Sequence, residues 1–155
     1  MTDVSIERSV AIDAPIDVVW RTITEPDQIR RWFSDRVDLN ATPGAVGTLT
    51  FGAEDVEPYV VEITVVDVEA PHVFSFRWVG PEGVPATPEN SMLVTFRLTA
   101  DSTARTTLHV SETGLEDLPW PEGEKLIYIR DHRDGWTKQG DRLKALFAAG
   151  PSASA

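Results

Sequence analysis

Arg133 is the residue whose type and setting most directly suggest chemistry. Between positions 122 and 149, residues recur at alternating steps of three and four, the spacing of one face of an α-helix. The face consists of Leu126, Ile129, Arg133, Trp136, Gly140, Leu143 and Phe147. An arginine on an otherwise apolar face must pair with a carboxylate, extend to solvent or meet a ligand. An ion pair with Glu112 or Glu62 is favoured over a grip on a ligand carboxylate or carbonyl.

The three histidines do not form a recognisable metal site. His72, His109 and His132 fall on different predicted elements, and no helical pair with metal-ligand spacing occurs. Asp131 and Asp134 flank His132, but side chains one or two positions apart on a helix do not converge. We therefore expect solvated polar residues here and no bound metal.

Nucleophilic catalysis has little support in the sequence. Cysteine is absent, which excludes thiolate nucleophiles, cysteine-ligated metals and disulfides. Thr107, His109 and Ser111 alternate along one strand face, where neighbouring side chains lie ~7 Å apart, too far for a direct hydrogen bond. We expect these three on the solvent face of a sheet, and we predict no catalytic residue and no cofactor.

Composition and charge exclude several classes of partner. The chain has 155 residues and a net charge of −11, so it repels nucleic acid and anionic membranes. The first eight residues lack the pattern of a signal peptide, and no apolar run reaches membrane-spanning length. A cytoplasmic protein is the default expectation.

The elements that would position these residues follow from periodicity and turn signals. A half-buried strand at 4–12 precedes a helix from Ile16, with Asp13 as a plausible N-cap, and a short helix after Pro26. Further strands are predicted at 46–51, 59–68, 72–79, 91–99 and 105–112, with a turn at 101–103. Short turns between successive strands indicate an antiparallel meander.

The long helix at 122–149 would close over this sheet. Gly140 costs about 1 kcal/mol relative to alanine in a helix interior, so it serves either close packing on the sheet or a cavity wall. The sequence predicts an α+β fold with a curved antiparallel sheet and an apolar space near the middle of the helix. We expect one domain over residues 1–149 and a disordered tail at 150–155.

Three stretches in order resemble a known superfamily. They are Ala14–Trp20 followed by Ile23–Pro26, Ile29, Trp32 and Phe33, then Val94–Thr99 and, after a turn, Thr106–Gly114, and finally Asp134-Gly135-Trp136 leading into Asp141–Leu146. This pattern resembles the START/Bet v 1-like (SRPBCC) superfamily, and within it the branch that is similar to the C-terminal domain of the activator of Hsp90 ATPase. The resemblance covers roughly residues 4 to 148.

The resemblance implies a helix-grip fold and a deep pocket between the long helix and the sheet. A pocket of this kind takes an apolar lipid-like or polyketide-like molecule. The predicted ligand-binding residues are Trp32, Phe74, Phe76, Trp78, Phe96, Trp120, Tyr128, Ile129, Arg133, Trp136 and Gly140. The same rings could equally form an ordinary core.

Three functions remain open at this point. The leading hypothesis is a small-molecule binding protein without covalent catalysis. The second is an enzyme resembling polyketide cyclases and dehydratases, for which Arg133, Tyr128 and Glu62 are the candidate polar groups. The third is a protein-interaction module, either chaperone-linked or a natural-product resistance factor. Hsp90 activators carry an additional N-terminal domain that these residues do not contain, so cochaperone activity is not expected.

Overall fold

Strands dominate the first three quarters of the chain, and one long helix follows them. The computed structural model describes residues 5–52, 57–81 and 83–148. Over these residues the order of elements is β1 (Ser5–Ile12), α1 (Ile16–Thr24), α2 (Pro26–Ile29), β2 (Arg36–Asp38), β3 (Val46–Phe51), β4 (Tyr59–Glu69), β5 (Val73–Trp78), β6 (Met92–Ser102), β7 (Arg105–Thr113), a 3₁₀ helix (Leu115–Asp117) and α3 (Glu122–Leu146).

The strands form one antiparallel sheet. Its spatial order is β1-β7-β6-β5-β4-β3-β2, so the first strand pairs with the last and the rest follow as a meander. Because β1 and β2 occupy opposite edges, α1 and α2 carry the chain across the sheet between them. The α+β prediction, with a curved antiparallel sheet, two short helices and a long C-terminal helix, is confirmed.

An aromatic cluster fills the centre of the inner face of the sheet. Alternate residues of β5 and β6 point inward, as the strand period of two requires, and Phe74, Phe76 and Phe96 are each 1% exposed. Trp32 lies against Phe33 and Phe96, and its Nε1 donates to the carbonyl of Thr22 at 3.0 Å. This cluster anchors the segment after α2 to the middle of the sheet.

Helix α3 packs beside β1 and sends one large ring toward the aromatic cluster. Its buried residues are Tyr128, Trp136, Gly140 and Leu143. A Cβ placed on Gly140 would lie 3.9 Å from Val10, which is ordinary van der Waals contact. Gly140 therefore belongs to the packing of α3 on β1, the first of the two roles considered for it.

Several predicted boundaries differ from the structure. Asp13 does not cap α1, which begins after Pro15 without a side-chain cap. The turn expected at 101–103 is shorter, because β6 continues to Ser102 and pairs there with Arg105. The short strand β2 was not predicted. Val4 and the predicted tail at 150–155 lie outside the described residues.

Candidate functional site

A fully buried glutamate stands at the centre of the site. Glu112 belongs to the inward-facing set of β7, together with Leu108 and Val110, and it is 0% exposed. Its neighbours across the sheet are Val94 on β6 and Ile6 on β1. A carboxylate in such apolar surroundings is costly unless hydrogen bonds satisfy it.

Four side chains donate hydrogen bonds to this carboxylate. Trp78 Nε1 donates to Oε2 at 2.8 Å, and the Tyr128 hydroxyl donates to the same oxygen. Trp136 Nε1 lies 2.9 Å from Oε1, and His132 Nδ1 lies 2.8 Å from it. An ionised carboxylate offers about four lone-pair positions, so this set fills its accepting capacity.

The helix supplies three of the four donors through its own periodicity. Tyr128, His132 and Trp136 are spaced four residues apart and therefore share one face of α3. The His132 ring stacks on Tyr128 with centroids 3.7 Å apart, and the edge of Trp78 meets it at 5.8 Å. These contacts hold the imidazole in one orientation.

Electrostatics keep Tyr128 in its neutral form. Burial raises the pKa of the Tyr128 hydroxyl far above its ordinary value, and the charge of Glu112 raises this pKa further. The hydroxyl is therefore a permanent hydrogen-bond donor to Glu112. Among the described residues, His132 is the one potentially cationic side chain within ion-pair distance of Glu112.

Two cavities adjoin this cluster. The first, which we call the aromatic cavity, has a volume of about 240 Å³. Its walls are Phe33, Phe51, Tyr59, Val61, Trp78, Val79, Asp131, His132, Gly135, Trp136 and Gln139. The second cavity, of about 270 Å³, is lined by Trp120, Glu124, Ile127, Tyr128, Asp131 and His132. Asp131 and His132 border both, and none of these described lining residues is a lysine or an arginine.

The wall of the aromatic cavity contains one unusual backbone conformation. Val79 follows β5 with φ of 61°. A β-branched residue rarely adopts this left-handed region, and such strain costs about 1–3 kcal/mol. On the opposite wall, a Cβ on Gly135 would meet nothing within 4 Å, so the absence of a side chain there leaves the space open.

The predicted ligand-binding residues separate into four groups. Trp78 and Trp136 line the aromatic cavity, while Trp120 and Tyr128 line the second. The buried rings deeper in the core are Trp32, Phe74, Phe76 and Phe96, three of which border a space of only about 10 Å³. The remaining three, Ile129, Arg133 and Gly140, line neither of the two cavities.

The predicted ion pair of Arg133 is wrong. Arg133 is exposed, Glu62 is exposed on β4, and the described partners of Glu112 are the four donors given above. In the first half of α3 the face that meets the site runs one position earlier than predicted, through Tyr128 and His132. Trp136, Gly140 and Leu143 of the predicted face are buried as expected. Arg133 is not among the residues that line the aromatic cavity or the second cavity.

The expectation that His132 is a solvated polar residue is also wrong, and Glu112 was missed as a site residue. Two signals pointed to them. Glu112 continues the buried alternation of Leu108 and Val110, which an unpaired carboxylate cannot do. Tyr128, His132 and Trp136 form a row of hydrogen-bond donors at four-residue spacing, which is what a buried acceptor requires.

A second histidine–glutamate pair lies on the outer face of the sheet. His109 Nε2 is 3.0 Å from Glu7 Oε1, and His109 Nδ1 is 2.8 Å from the Ser9 hydroxyl. Serine, histidine and glutamate are the residue types of a hydrolase triad. Both hydrogen bonds of this group are exposed, however, and its residues border neither cavity.

Other functional classes find no support in the described residues. Within 5–52, 57–81 and 83–148, no group of three or more histidine, aspartate or glutamate side chains is placed to hold a metal ion. None of the helices in the described part of the chain combines the length and the hydropathy that a bilayer crossing requires.

Comparison with known proteins identifies the family. Residues 13–148 match the family model described as Activator of Hsp90 ATPase homolog 1-like protein. The chain belongs to this family. The resemblance seen in the sequence is thereby confirmed, and it places the chain in the START/Bet v 1-like superfamily. None of the curated protein sequences matches the chain.

Solved structures share the fold of this family member. DynU16, a protein in the dynemicin biosynthetic locus, is 29% identical with a TM-score of 0.72, over 97% of this chain and 50% of that chain. CalU16 from Micromonospora echinospora is 23% identical, with a TM-score of 0.65 over 97% of this chain and 78% of that one. The Aha1 dimer from Colwellia psychrerythraea is 14% identical, with a TM-score of 0.73 over 95% and 98%. This chain therefore spans half the length of DynU16.

Proposed function

We propose that this protein binds a small neutral or cationic aromatic molecule, without covalent catalysis, in the aromatic cavity. The observation that carries the proposal is the composition of the cavity wall. Five aromatic rings surround a space of about 240 Å³: Phe33, Phe51, Tyr59, Trp78 and Trp136. Ligand sites are concave and mostly apolar, with a few convergent polar groups, and Asp131, His132 and Gln139 supply polar groups on this wall.

The charge around the cavity supports the choice of ligand class. Glu112 lies behind Trp78 and Trp136, Asp131 lines the cavity, and no described lining residue is a lysine or arginine. Among the polar groups of this wall, a fatty acid or another carboxylate would find the Asp131 carboxylate and the His132 imidazole, and the arginine that pairs with Asp131 at 3.6 Å, Arg130, is not part of the wall. A lipid with an anionic head group is therefore disfavoured relative to a neutral polyketide-like ring system.

Two further observations favour binding over a simple packing defect. Val79 is held in a strained conformation at the cavity wall, and such strain concentrates at binding and active sites. Gly135 leaves the opposite wall open in a helix interior, where glycine costs about 1 kcal/mol relative to alanine. DynU16, with the same fold, is a protein in a biosynthetic locus for the small molecule dynemicin, which accords with a small-molecule role.

Matched probes test both the binding and its charge preference. Naphthylmethanol, naphthylmethylamine and naphthoic acid present the same ring with a neutral, cationic or anionic group. We expect the first two to quench the fluorescence of Trp78 and Trp136 with saturation. Naphthoic acid should bind at least about tenfold more weakly, that is by about 1.4 kcal/mol, because of Glu112 and Asp131. Saturable binding of none of the three, or tightest binding of naphthoic acid, contradicts the proposal.

A cavity-filling variant ties the binding to this site. Gly135→Leu places a side chain in the aromatic cavity and should abolish quenching, while its helix propensity favours folding. Gly123→Leu is the matched control, because Gly123 is on the same helix, also has nothing within 4 Å of an added Cβ, and lines neither cavity. Equal binding by both variants would place the ligand elsewhere.

A further inference from the structure

The hydrogen bonds around Glu112 decide which nitrogen of His132 carries the proton. The indole groups of Trp78 and Trp136 can only donate, and each takes one position on a different carboxylate oxygen. The Tyr128 hydroxyl fills another position. An ionised carboxylate only accepts, so His132 Nδ1, at 2.8 Å from Oε1, must donate. In the neutral imidazole, Nε2 is then a proton acceptor.

The position of His132 makes this acceptor available to a bound molecule. His132 borders both the aromatic cavity and the second cavity, and its side chain is 25% exposed. Its Nδ1 edge is directed at Glu112, while Tyr128 covers one ring face. Nε2 is thus the ring nitrogen left for the cavities, on a ring whose orientation is fixed by packing.

We propose that His132 is a general base that removes a proton from a neutral aromatic ketone bound in the aromatic cavity. Glu112 is its positioning residue. This inference rests on the proposed function, because the ketone must first bind. A histidine held by a carboxylate through Nδ1, with Nε2 facing the reacting group, is an arrangement that performs proton transfer in enzymes.

The step balances without a co-reactant. The C–H bond next to the carbonyl breaks, and its electron pair forms the carbon–carbon double bond of an enolate as the carbonyl electrons move to oxygen. The proton passes to Nε2 and gives an imidazolium. Glu112 stabilises that positive charge at 2.8 Å in a buried setting. Return of the proton to the same carbon restores the ketone. Return of the proton to a different carbon of a conjugated enolate completes an isomerisation.

Deuterium exchange measures this step directly. β-Tetralone is a neutral two-ring ketone with acidic C–H bonds, and NMR in heavy water follows the replacement of its hydrogens. His132→Asn keeps an amide N–H to donate to Glu112 but removes the base. We expect this variant to lose about 100-fold or more of the protein-catalysed exchange rate while binding β-tetralone as the wild type does. His109→Asn, which alters the exposed histidine of the outer face and borders neither cavity, should retain the exchange rate.

Each outcome separates the inference from the proposed function. If β-tetralone quenches tryptophan fluorescence but exchanges equally in the wild type and in His132→Asn, His132 is not the base and the binding proposal stands. An equal loss of exchange in His109→Asn would show that the loss is not specific to His132 and overturns the inference. If β-tetralone neither binds nor exchanges, both proposals fail for this ligand class.

The positioning role of Glu112 has its own signature. Nitrogen NMR of histidine-labelled protein should show His132 as the tautomer with its proton on Nδ1. Glu112→Gln, checked for folding by circular dichroism, should change this tautomer signal and lower the exchange rate without weakening β-tetralone binding. A wild-type signal with the proton on Nε2 would overturn the inference without any variant.

Discussion

Two histidine–glutamate pairs of this protein have nearly the same nitrogen–oxygen distance and opposite surroundings. The inner pair joins His132 to Glu112 at 2.8 Å, and the outer pair joins His109 to Glu7 at 3.0 Å. The Glu112 side chain is 0% exposed, whereas that of Glu7 is 53% exposed. Strand β7 contributes to both pairs, because Glu112 points inward and His109 points outward.

The comparison teaches that burial, more than distance, gives such a pair its energetic and chemical consequences. Water and salt screen the outer pair, so its charges interact weakly. The inner pair lies beside two indoles and a tyrosine ring in a low-dielectric setting, where each hydrogen bond is stronger and each unpaired group costs more. His132 of the inner pair also borders two cavities, and the outer pair borders neither.

The largest expected effect is the loss of the inner carboxylate. Glu112→Ala removes the acceptor of four hydrogen bonds and leaves two indoles, a hydroxyl and an imidazole without their partner. We expect a loss of about 3–5 kcal/mol in the free energy of unfolding, measured by urea denaturation.

Glu7→Ala is the matched control on the outer face. Because Glu7 is exposed, the urea midpoint of the Glu7→Ala variant should be indistinguishable from that of the wild type. Equal destabilisation by the two variants would remove the distinction between the pairs.

A smaller effect is expected from the hydroxyl of Tyr128. Tyr128→Phe should cost about 1–3 kcal/mol, because Glu112 loses one buried donor. It should also change the stability at alkaline pH. The raised pKa of folded Tyr128 means that only the unfolded state releases this proton above about pH 10, so unfolding becomes more favourable as the pH rises further.

Above about pH 10, Tyr128 should therefore lower the free energy of unfolding by up to about 1.4 kcal/mol for each further pH unit. The Tyr128→Phe variant should not show this decrease. Tyr59→Phe is the control, because Tyr59 is 59% exposed. The same alkaline slope in the wild type and in Tyr128→Phe would show that Tyr128 is not held neutral by its surroundings.

The smallest effect is expected at Arg133. Its side chain is exposed and lines neither cavity, so Arg133→Ala should change the free energy of unfolding by less than about 0.5 kcal/mol. Fluorescence quenching by naphthylmethanol should also be unchanged. A marked loss of binding would restore Arg133 as a ligand-binding residue.

Most of the fold follows from the sequence because it depends on local patterns. The alternation of Phe74, Phe76 and Trp78 identified a strand and its buried face, and the three-and-four spacing after Glu122 identified the long helix. Pro26 marked the start of the second helix. These signals need no knowledge of which strands are neighbours.

The site was only partly predictable because it depends on contacts between distant residues. Trp78 and Glu112 lie 34 positions apart, and only the sheet register brings them together. The phase of the helix was also ambiguous, since Trp136 fits both the face with Arg133 and the face with His132. Packing against β1 and Glu112 selects the second face. His132, which was predicted to be solvated, therefore belongs to the site.

Ligand-induced shifts in NMR spectra test the central claim most directly. Naphthylmethanol is titrated into protein labelled at the tryptophan indole and histidine ring nitrogens. Binding in the aromatic cavity predicts saturating shifts for Trp78, Trp136 and His132, and unchanged signals for Trp20 and for His109 on the outer face. Shifts centred on His109, or no saturating shift at Trp78, Trp136 and His132, would contradict a binding site beside the inner pair.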